Sequence, residues 1–443
     1  MVKLKRLKIE KFRNVAPGTE LRFRDSRNVL LGKNGTGKTT LLNLIVAVLD
    51  GWFGELQDEE FSLEYELAVP QGGLTVWVRN LLTGSAFPPG QGLAVSEPPI
   101  SYPEGISAFG KRAQYSASCE MLFHLADGGP KYRLEVEGNE GVLHQEGSTQ
   151  EIRKPFRSPL LERYFIADVG SWLWEVSLTK DAPTGIRSAV ILLAYIWRHS
   201  SVERFDESLL FLDKLTDSKD LFIVERTEEA IEVLRGADVA SSVKQRLTQE
   251  FKANPALDRI TLSDRDAEMK FLSRAVQLLG FASGELRLQR TARKAGPPEE
   301  TEFGDLQFYF VRRDGSGIDG SRLSYGQKRL LAFYYYLDCS ASCAVADELV
   351  NGMHHEWIEA CLEELGERQA FLTSQNPLLL DYLGFETAEE VRSSFVLCRS
   401  ELQGEREQLR WENMTPEDAE GFFQAYQVGI QHVSEILRTR GLW

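Results

Sequence analysis

The feature that most constrains this chain is an apolar run that breaks into glycines. Asn28-Val-Leu-Leu leads directly into Gly32-Lys33-Asn34-Gly35-Thr36-Gly37-Lys38-Thr39, and Thr39 to Leu49 follows as an apolar stretch with few helix breakers. A strand, a glycine loop and a helix in that order turn successive backbone N–H groups toward one anion, with the positive end of the helix behind them. The spacing G-x-x-x-x-G-K-T adds the Lys38 ammonium for β- and γ-phosphates and the Thr39 hydroxyl for Mg²⁺. The candidate nucleotide-binding residues are Asn34, Gly35, Thr36, Gly37, Lys38, Thr39 and Thr40. The ligand expected is ATP with Mg²⁺, held in a P-loop.

The rest of the composition narrows the classes. A chain of 443 residues has material for two to three domains, and 42% hydrophobic residues suffice to fill their cores. A net charge of −15 argues against a general nucleic-acid or anionic-membrane partner. Five cysteines without a C-x-x-C pair suggest neither a disulfide framework nor a zinc site. The N-terminus lacks the apolar core of a signal peptide, and no run approaches the ~18 apolar residues of a membrane span. The expected location is the cytoplasm.

Organisation along the chain follows the periodicity. Residues 2–31 read as strands, with lysines on a solvated face or guarded edge. Residues 60–150 read as hairpin strands around a proline-rich surface excursion over 82–113. Residues 155–285 read as helical, in particular Ile186 to Trp197, Glu207 to Leu215, Thr227 to Leu234, Ser241 to Phe251 and Met269 to Leu279. No sustained heptad predicts a coiled-coil arm. Residues 291–303 read as a loop, and Leu306 to Val311 as a strand before an Asp314-Gly315 turn. Thr415-Pro416-Glu417-Asp418 is a helix start, followed by an apolar stripe through Phe422, Tyr426, Val433 and Leu437.

Three further strings bear on chemistry. Leu323-Ser324-Tyr325-Gly326-Gln327 precedes a helical run. Cys343-Ala-Val-Ala runs into the adjacent carboxylates Asp347 and Glu348, the first suited to Mg²⁺ and the second to orienting and deprotonating an attacking water. Ala370-Phe-Leu-Thr373-Ser374-Gln375-Asn376 is an apolar strand ending in polar groups, where a γ-phosphate sensor fits.

Taken together, the order of these strings resembles an ABC-type ATPase head of the SMC, RecF and OLD-like group. Leu7 to Val15, with Phe12-Arg13, resembles the opening I-x-x-F-R strand, whose arginine touches nucleotide in such heads. Leu323 to Gln327 resembles the LSGGQ signature, with Tyr325 in place of a glycine. Asp347-Glu348 resembles Walker B with its catalytic glutamate. Asn351-Gly352-Met353-His354 resembles the D-loop of stand-alone members, and Ser374 to Pro377 stands where the family has T-H-S-P. Gln375 replaces the switch histidine. Gln114 is the candidate Q-loop glutamine.

The fold this implies is a P-loop NTPase of α/β class, an ABC-type head with a mixed sheet, an antiparallel β subdomain and a helical insertion. The implied division is an N-terminal lobe over 1–154, the insertion over 155–285, a C-terminal lobe over 286–400 and a C-terminal amphipathic helix over 401–443. The implied catalytic residues are Glu348, Lys38 and Gln375. Arg13, Ser324, Gly326 and Gln327 join the P-loop residues on nucleotide, and Thr39 and Asp347 take the metal. In this family the signature serine caps ATP held by a second subunit, so an ATP-bridged homodimer or higher oligomer is implied. The resemblance extends to stand-alone subunits of anti-phage systems of the PARIS or Septu type, which implies a partner effector such as a nuclease or toxin. A RecF-like DNA-repair or DNA-binding ATPase is the alternative. Glu225, Asp264 and Asp266 faintly echo a nuclease pattern, but in the wrong order, so no intrinsic nuclease activity is expected.

Overall fold

The computed structural model describes residues 1–84, 114–126, 128, 130–149, 151–156, 160–161, 165–180, 182–183, 185–200, 202–206, 222–226, 231–233, 239–294, 296, 299–340, 342–404 and 406–442. The chain opens with β1 (Lys3–Phe12), β2 (Thr19–Arg22), β3 (Arg27–Leu31) and α1 (Lys38–Asp50). Six strands follow: β4 (Phe61–Val69), β5 (Gly72–Gly84), β6 (Gln114–Leu125), β7 (Tyr132–Glu137), β8 (Glu140–Gln145) and β9 (Glu151–Pro155). Next come α2 (Phe165–Ser177), α3 (Ile186–Ser200), β10 (Arg204–Phe205), β11 (Phe222–Arg226), β12 (Ile231–Val233), α4 (Ser241–Ala253), β13 (Arg259–Ser263) and α5 (Lys270–Leu279). The remainder is β14 (Ser283–Lys294), β15 (Glu299–Val311), β16 (Gly317–Asp319), α6 (Tyr325–Cys339), β17 (Cys343–Ala346), α7 (His355–Leu365), β18 (Gln369–Thr373), α8 (Ala388–Ser394), β19 (Phe395–Gln403), β20 (Arg406–Asn413), α9 (Pro416–Val428) and α10 (Val433–Thr439).

These strands form three sheets. One is an eight-stranded antiparallel sheet in the order β2-β1-β4-β5-β6-β7-β8-β9. The second, in the order β10-β17-β18-β3-β19-β20, is parallel from β10 to β19 and closes with the antiparallel β20. The third runs β12-β11-β15-β14-β13. In β1 the apolar alternation skips from Leu4 to Leu7, yet both are buried, because the β1–β4 register shifts between Leu4 and Arg6. The run Asn28 to Leu31 is buried throughout, as a strand covered on both faces requires. Val29 and Leu31 join one core and Leu30 the other, so the parallel sheet is the partition between two apolar layers.

The fold class read from the sequence, α/β with mixed sheets and an antiparallel lobe, is the one observed. Several local readings are corrected. The stretch 155–285 contains α2, α3, α4 and α5 but also β10 to β13 and the start of β14, so it is not helical throughout. Residues 231–233, expected inside a helix, pair with β11 as a strand. The expected helix Glu207 to Leu215, the start of Thr227 to Leu234 and most of the proline-rich excursion lie outside the described residues. Residues 291–294 and 299–303, expected in a loop, are the end of β14 and the start of β15. Their polarity is that of an exposed ribbon, whose charges pair across the strands as Arg293 with Glu299 and Lys294 with Glu300. Residues 401–403 and 406–413 belong to β19 and β20, so the C-terminal segment is helical only from Pro416. Gly429, at φ 68°, then divides its apolar stripe into two helices. Phe422, Val433, Ile436 and Leu437 are buried in the head's own core.

Candidate functional site

The P-loop joins β3, the strand between β18 and β19, to α1. Two of its glycines are required by close approach. A side chain at Gly32 would meet the Cys398 carbonyl of β19 at 2.2 Å. One at Gly37, whose φ is 80°, would meet Leu409 of β20 at 2.7 Å. From the same strand, buried Trp411 donates its indole N–H to the Thr36 carbonyl at 3.0 Å. The loop is thus propped from behind by β20. Burial pushes the Cys398 thiol up to about 12, so the wall behind the loop carries no thiolate at neutral pH.

In front of the loop is a cavity of about 640 Å³ lined by Asn34, Gly35, Gly37, Lys38, Thr39, Thr40, Arg204, Asp206, Asp347, Glu348 and Gln375. Lys38 Nζ donates to the loop carbonyls of Gly32 at 2.7 Å and Lys33 at 3.0 Å, which folds it over the loop. Thr39 Oγ1 donates to Asp347 Oδ2 at 2.7 Å, joining the loop to the end of β17. Thr373, at the end of β18 and fully buried, donates Oγ1–H to Asp347 Oδ1 at 2.5 Å and accepts the Glu348 backbone N–H at 2.8 Å. Glu348 has φ 51°, a left-handed conformation uncommon for a residue with a side chain. Its Oε2 accepts the backbone N–H of Gln375 at 2.8 Å, while the Gln375 amide donates to Asn34 Oδ1 at 3.2 Å. The hold on Glu348 therefore comes from the main chain of Gln375 and does not depend on its side chain.

Arg329, two residues after Gln327 on α6, is fully buried, and among the described residues no carboxylate forms an ion pair with it. Its guanidinium donates to the carbonyls of Leu349 at 3.1 Å, Asp206 at 3.0 Å and Asp347 at 3.2 Å, and also to that of Glu348. It lies 5.0 Å from the Phe205 ring centroid. One side chain of α6 thus fixes the backbone of both acids.

The remaining predicted residues are placed elsewhere. Ser324 is exposed and caps α6, accepting the Gln327 N–H at 3.4 Å while Gln327 Oε1 accepts the Ser324 N–H at 3.0 Å. Gly326 packs on Gly352, whose carbonyl would lie 2.4 Å from any added Cβ. Neither Ser324, Gly326 nor Gln327 lines the cavity of its own chain. Arg13 lines an adjoining cavity of about 490 Å³ with Phe12, Trp52, Asn43 and Asp50, and its Nε and Nη2 donate to the two carboxylate oxygens of Glu59, each at 2.7 Å. Burial there raises the Asp50 carboxyl to about 6. Gln114 opens β6 opposite Gly84, and its side chain is outside the described residues. Asp264 and Asp266 serve the turn after β13, accepting the backbone N–H groups of Gly284 at 3.1 Å and Ser263 at 2.8 Å.

A hydroxyl and a carboxylate converging on one cavity suit Mg²⁺, which keeps several waters and takes its other ligands from bound phosphates. Among the described residues no cluster of three or more His, Cys, Asp or Glu forms a metal cage, and no helix is long and apolar enough to cross a membrane.

The sequence matches a family model described as an AAA domain over residues 6–75, which spans β1 to the P-loop and on into β5. No curated protein sequence matches the chain. Among solved structures, it is similar to the SMC head domain from Thermotoga maritima, at 14% identity and a TM-score of 0.37, covering 92% of this chain and 98% of that one. A structure of the SmcHead bound to the C-winged helix domain of ScpA is similar at 12% identity and 0.40, covering 94% and 98%. The recombination mediator RecF is similar at 14% identity and 0.27, covering 85% and 93%. Strand, loop, helix and paired carboxylates together make this an α/β P-loop NTPase fold.

Proposed function

We propose that this chain is an Mg²⁺-dependent ATPase subunit of the SMC/RecF-like kind, which closes around ATP with a second copy and relays nucleotide state to a partner protein. The observation that carries the reading is the division of the site. Lys38, Thr39, Asp347, Glu348 and Gln375 surround one cavity, whereas Ser324 stands exposed at the N-terminus of α6, outside it. A capped helix end with an exposed hydroxyl suits the phosphates of a neighbouring copy.

In this reading Lys38 and the loop N–H groups neutralise the triphosphate, and Thr39 with Asp347 holds the metal. Mg²⁺, when bound, would draw charge from the β- and γ-phosphate oxygens. Glu348, its carboxylate oriented by the backbone N–H of Gln375, accepts the proton of the attacking water. Gln375 cannot become cationic as a histidine can, which favours slow turnover and long-lived closed states. The adjoining cavity shares Thr40, Arg204 and Asp206 with the phosphate cavity, which supports a role for Arg13 and Trp52 at the nucleoside end.

The partner in this proposal is a protein effector of an anti-phage system, such as a nuclease or toxin. DNA is disfavoured because the cations of β1 are already engaged: Arg6 with Glu66 at 2.8 Å and with Glu64, Lys8 with Glu10 at 2.5 Å, Lys11 with Glu60 at 2.6 Å, Lys5 with Asp25, and Lys3 with the backbone carbonyls of Asp25 and Glu367. The test is molar mass in solution. Glu348→Gln with ATP should double in mass, and the added Ser324→Arg should return it to monomer. A monomer under every nucleotide condition would sink the composite site. Salt-sensitive retardation of duplex DNA would move the assignment to a RecF-like DNA-binding ATPase.

A further inference from the structure

Two side chains of the phosphate cavity, Arg204 and Asp206, belong to no motif in the sequence. Arg204 belongs to the short edge strand β10 and Asp206 directly follows it; β10 runs parallel to β17 with Arg204 beside Val345 and Phe205 beside Ala346. The Asp347 N–H donates to the Phe205 carbonyl at 2.7 Å, and the Arg329 guanidinium holds the Asp206 carbonyl at 3.0 Å. The β10 backbone is therefore fixed against the acid-bearing strand. From that position Arg204 Nη1 donates to Asp347 Oδ2 at 3.1 Å, and Arg204 Nη2 lies 3.5 Å from Asp206 Oδ2. All three side chains are partly buried, at 25% exposure for Arg204, 27% for Asp206 and 13% for Asp347.

The Asp347 carboxylate is thereby fully engaged. Oδ1 takes the Thr373 hydroxyl, and Oδ2 takes both the Thr39 hydroxyl and the guanidinium. The Thr39 hydroxyl and Asp347 are also the donors suited to Mg²⁺. A divalent cation and a guanidinium cannot share one carboxylate oxygen at close range without strong repulsion. Asp206 provides a second carboxylate that Arg204 already faces, so a change of side-chain torsion, with no backbone movement, transfers the guanidinium from one acid to the other.

We propose that Arg204 is a gate on the metal position: it holds Asp347 until the metal–nucleotide complex displaces it onto Asp206. The inference rests on the reading that this cavity takes Mg²⁺ and nucleotide, and it adds that metal and nucleotide binding are coupled through Arg204. With the gate closed, the guanidinium serves as counter-charge to a metal-free polyphosphate. With it open, the metal takes that role.

The test is calorimetric titration of the full chain with ADP, in EDTA and in excess Mg²⁺, and the readout is the ratio of the two dissociation constants. In the wild type the two conditions should differ little. Arg204→Met, which keeps the aliphatic stem, should weaken binding in EDTA and tighten it in Mg²⁺, raising the ratio about tenfold. Arg204→Lys should restore a ratio near wild type. Asp206→Asn should lower the ratio, because Arg204 loses its second acid. The double variant Arg204→Met with Asp206→Asn should behave as Arg204→Met alone. An unchanged or lowered ratio in Arg204→Met, with an unaltered thermal melt, overturns the gate. A double variant as weak in Mg²⁺ as Asp206→Asn also overturns it, and assigns Asp206 to the metal directly. If ADP binds none of these proteins in either condition, the nucleotide reading itself fails.

Discussion

Thr373→Val is the sharpest perturbation of this site, because valine has the same shape and removes only a hydroxyl. That hydroxyl is fully buried and does two things: it donates to Asp347 Oδ1 at 2.5 Å and accepts the Glu348 N–H at 2.8 Å. The first bond is charge-assisted and worth about 1.5–3 kcal/mol, and stranding the N–H costs about 1–3 kcal/mol. The two share one atom and do not add, so a total near 3 kcal/mol is expected. For a chain this long the unfolding entropy is about 0.9 kcal/mol/K, so that loss lowers Tm by about 3 °C in scanning calorimetry. Turnover should fall further than stability suggests. The Glu348 backbone sits at positive φ and loses the hydrogen bond to its N–H, and a misplacement of about 1 Å costs on the order of 100-fold in kcat. ADP affinity should change little, since the P-loop is untouched. Thr373→Ser should recover most of both quantities. A valine variant with Tm within about 0.5 °C of wild type and undiminished kcat would refute the network as the support of Glu348.

Other outcomes follow from the same geometry. Arg329→Lys keeps the charge but cannot reach four carbonyls from one nitrogen, and should destabilise the protein by about 3–5 kcal/mol on chemical denaturation. Trp411→Phe removes the indole donor to Thr36 while keeping the ring, and should weaken ADP binding about tenfold in a fluorescence titration, with a smaller effect on Tm. Asp50, raised to about 6 by burial, favours its protonated form in the folded protein. Its contribution to stability is full below about pH 4 and is lost as pH rises through about 6. Asp50→Asn should flatten that part of the pH–stability profile and raise stability at pH 7.5 by about 1 kcal/mol once partial solvation is allowed for.

The parts legible in the sequence were those written contiguously. The P-loop, Asp347-Glu348 and the Thr415 cap each place cause and effect within a few residues, and the apolar run Asn28 to Leu31 gave away its buried strand. What periodicity missed depends on partners far along the chain. Arg204 matters because of Asp347, and β10 is two residues long, too short for any pattern. Arg329 left a trace: it is a charge set directly against the apolar stretch Leu330 to Leu337. Trp411 left one too, a large apolar ring amid the charges of β20. Residues 291–303 were misread because polarity signals exposure, and an exposed ribbon is as polar as a loop. The stripe from Phe422 to Leu437 kept its apolar character across Gly429, so the sequence pattern did not reveal the break between α9 and α10.

The contact between Trp411 and Thr36 joins residues 375 positions apart. Its consequence is temporal. During synthesis at about 5–20 residues per second, the loop would leave the ribosome roughly 20–75 s before the strand that props it. For most of that interval β3 lacks both of its neighbours, β18 and β19, and the glycines of the loop have nothing behind them. An early N-terminal fragment therefore displays the nucleotide motif without the means to shape it. Pulse-labelled nascent chains should gain nucleotide-dependent protease resistance in one late step, after β20 emerges, rather than gradually as the chain grows.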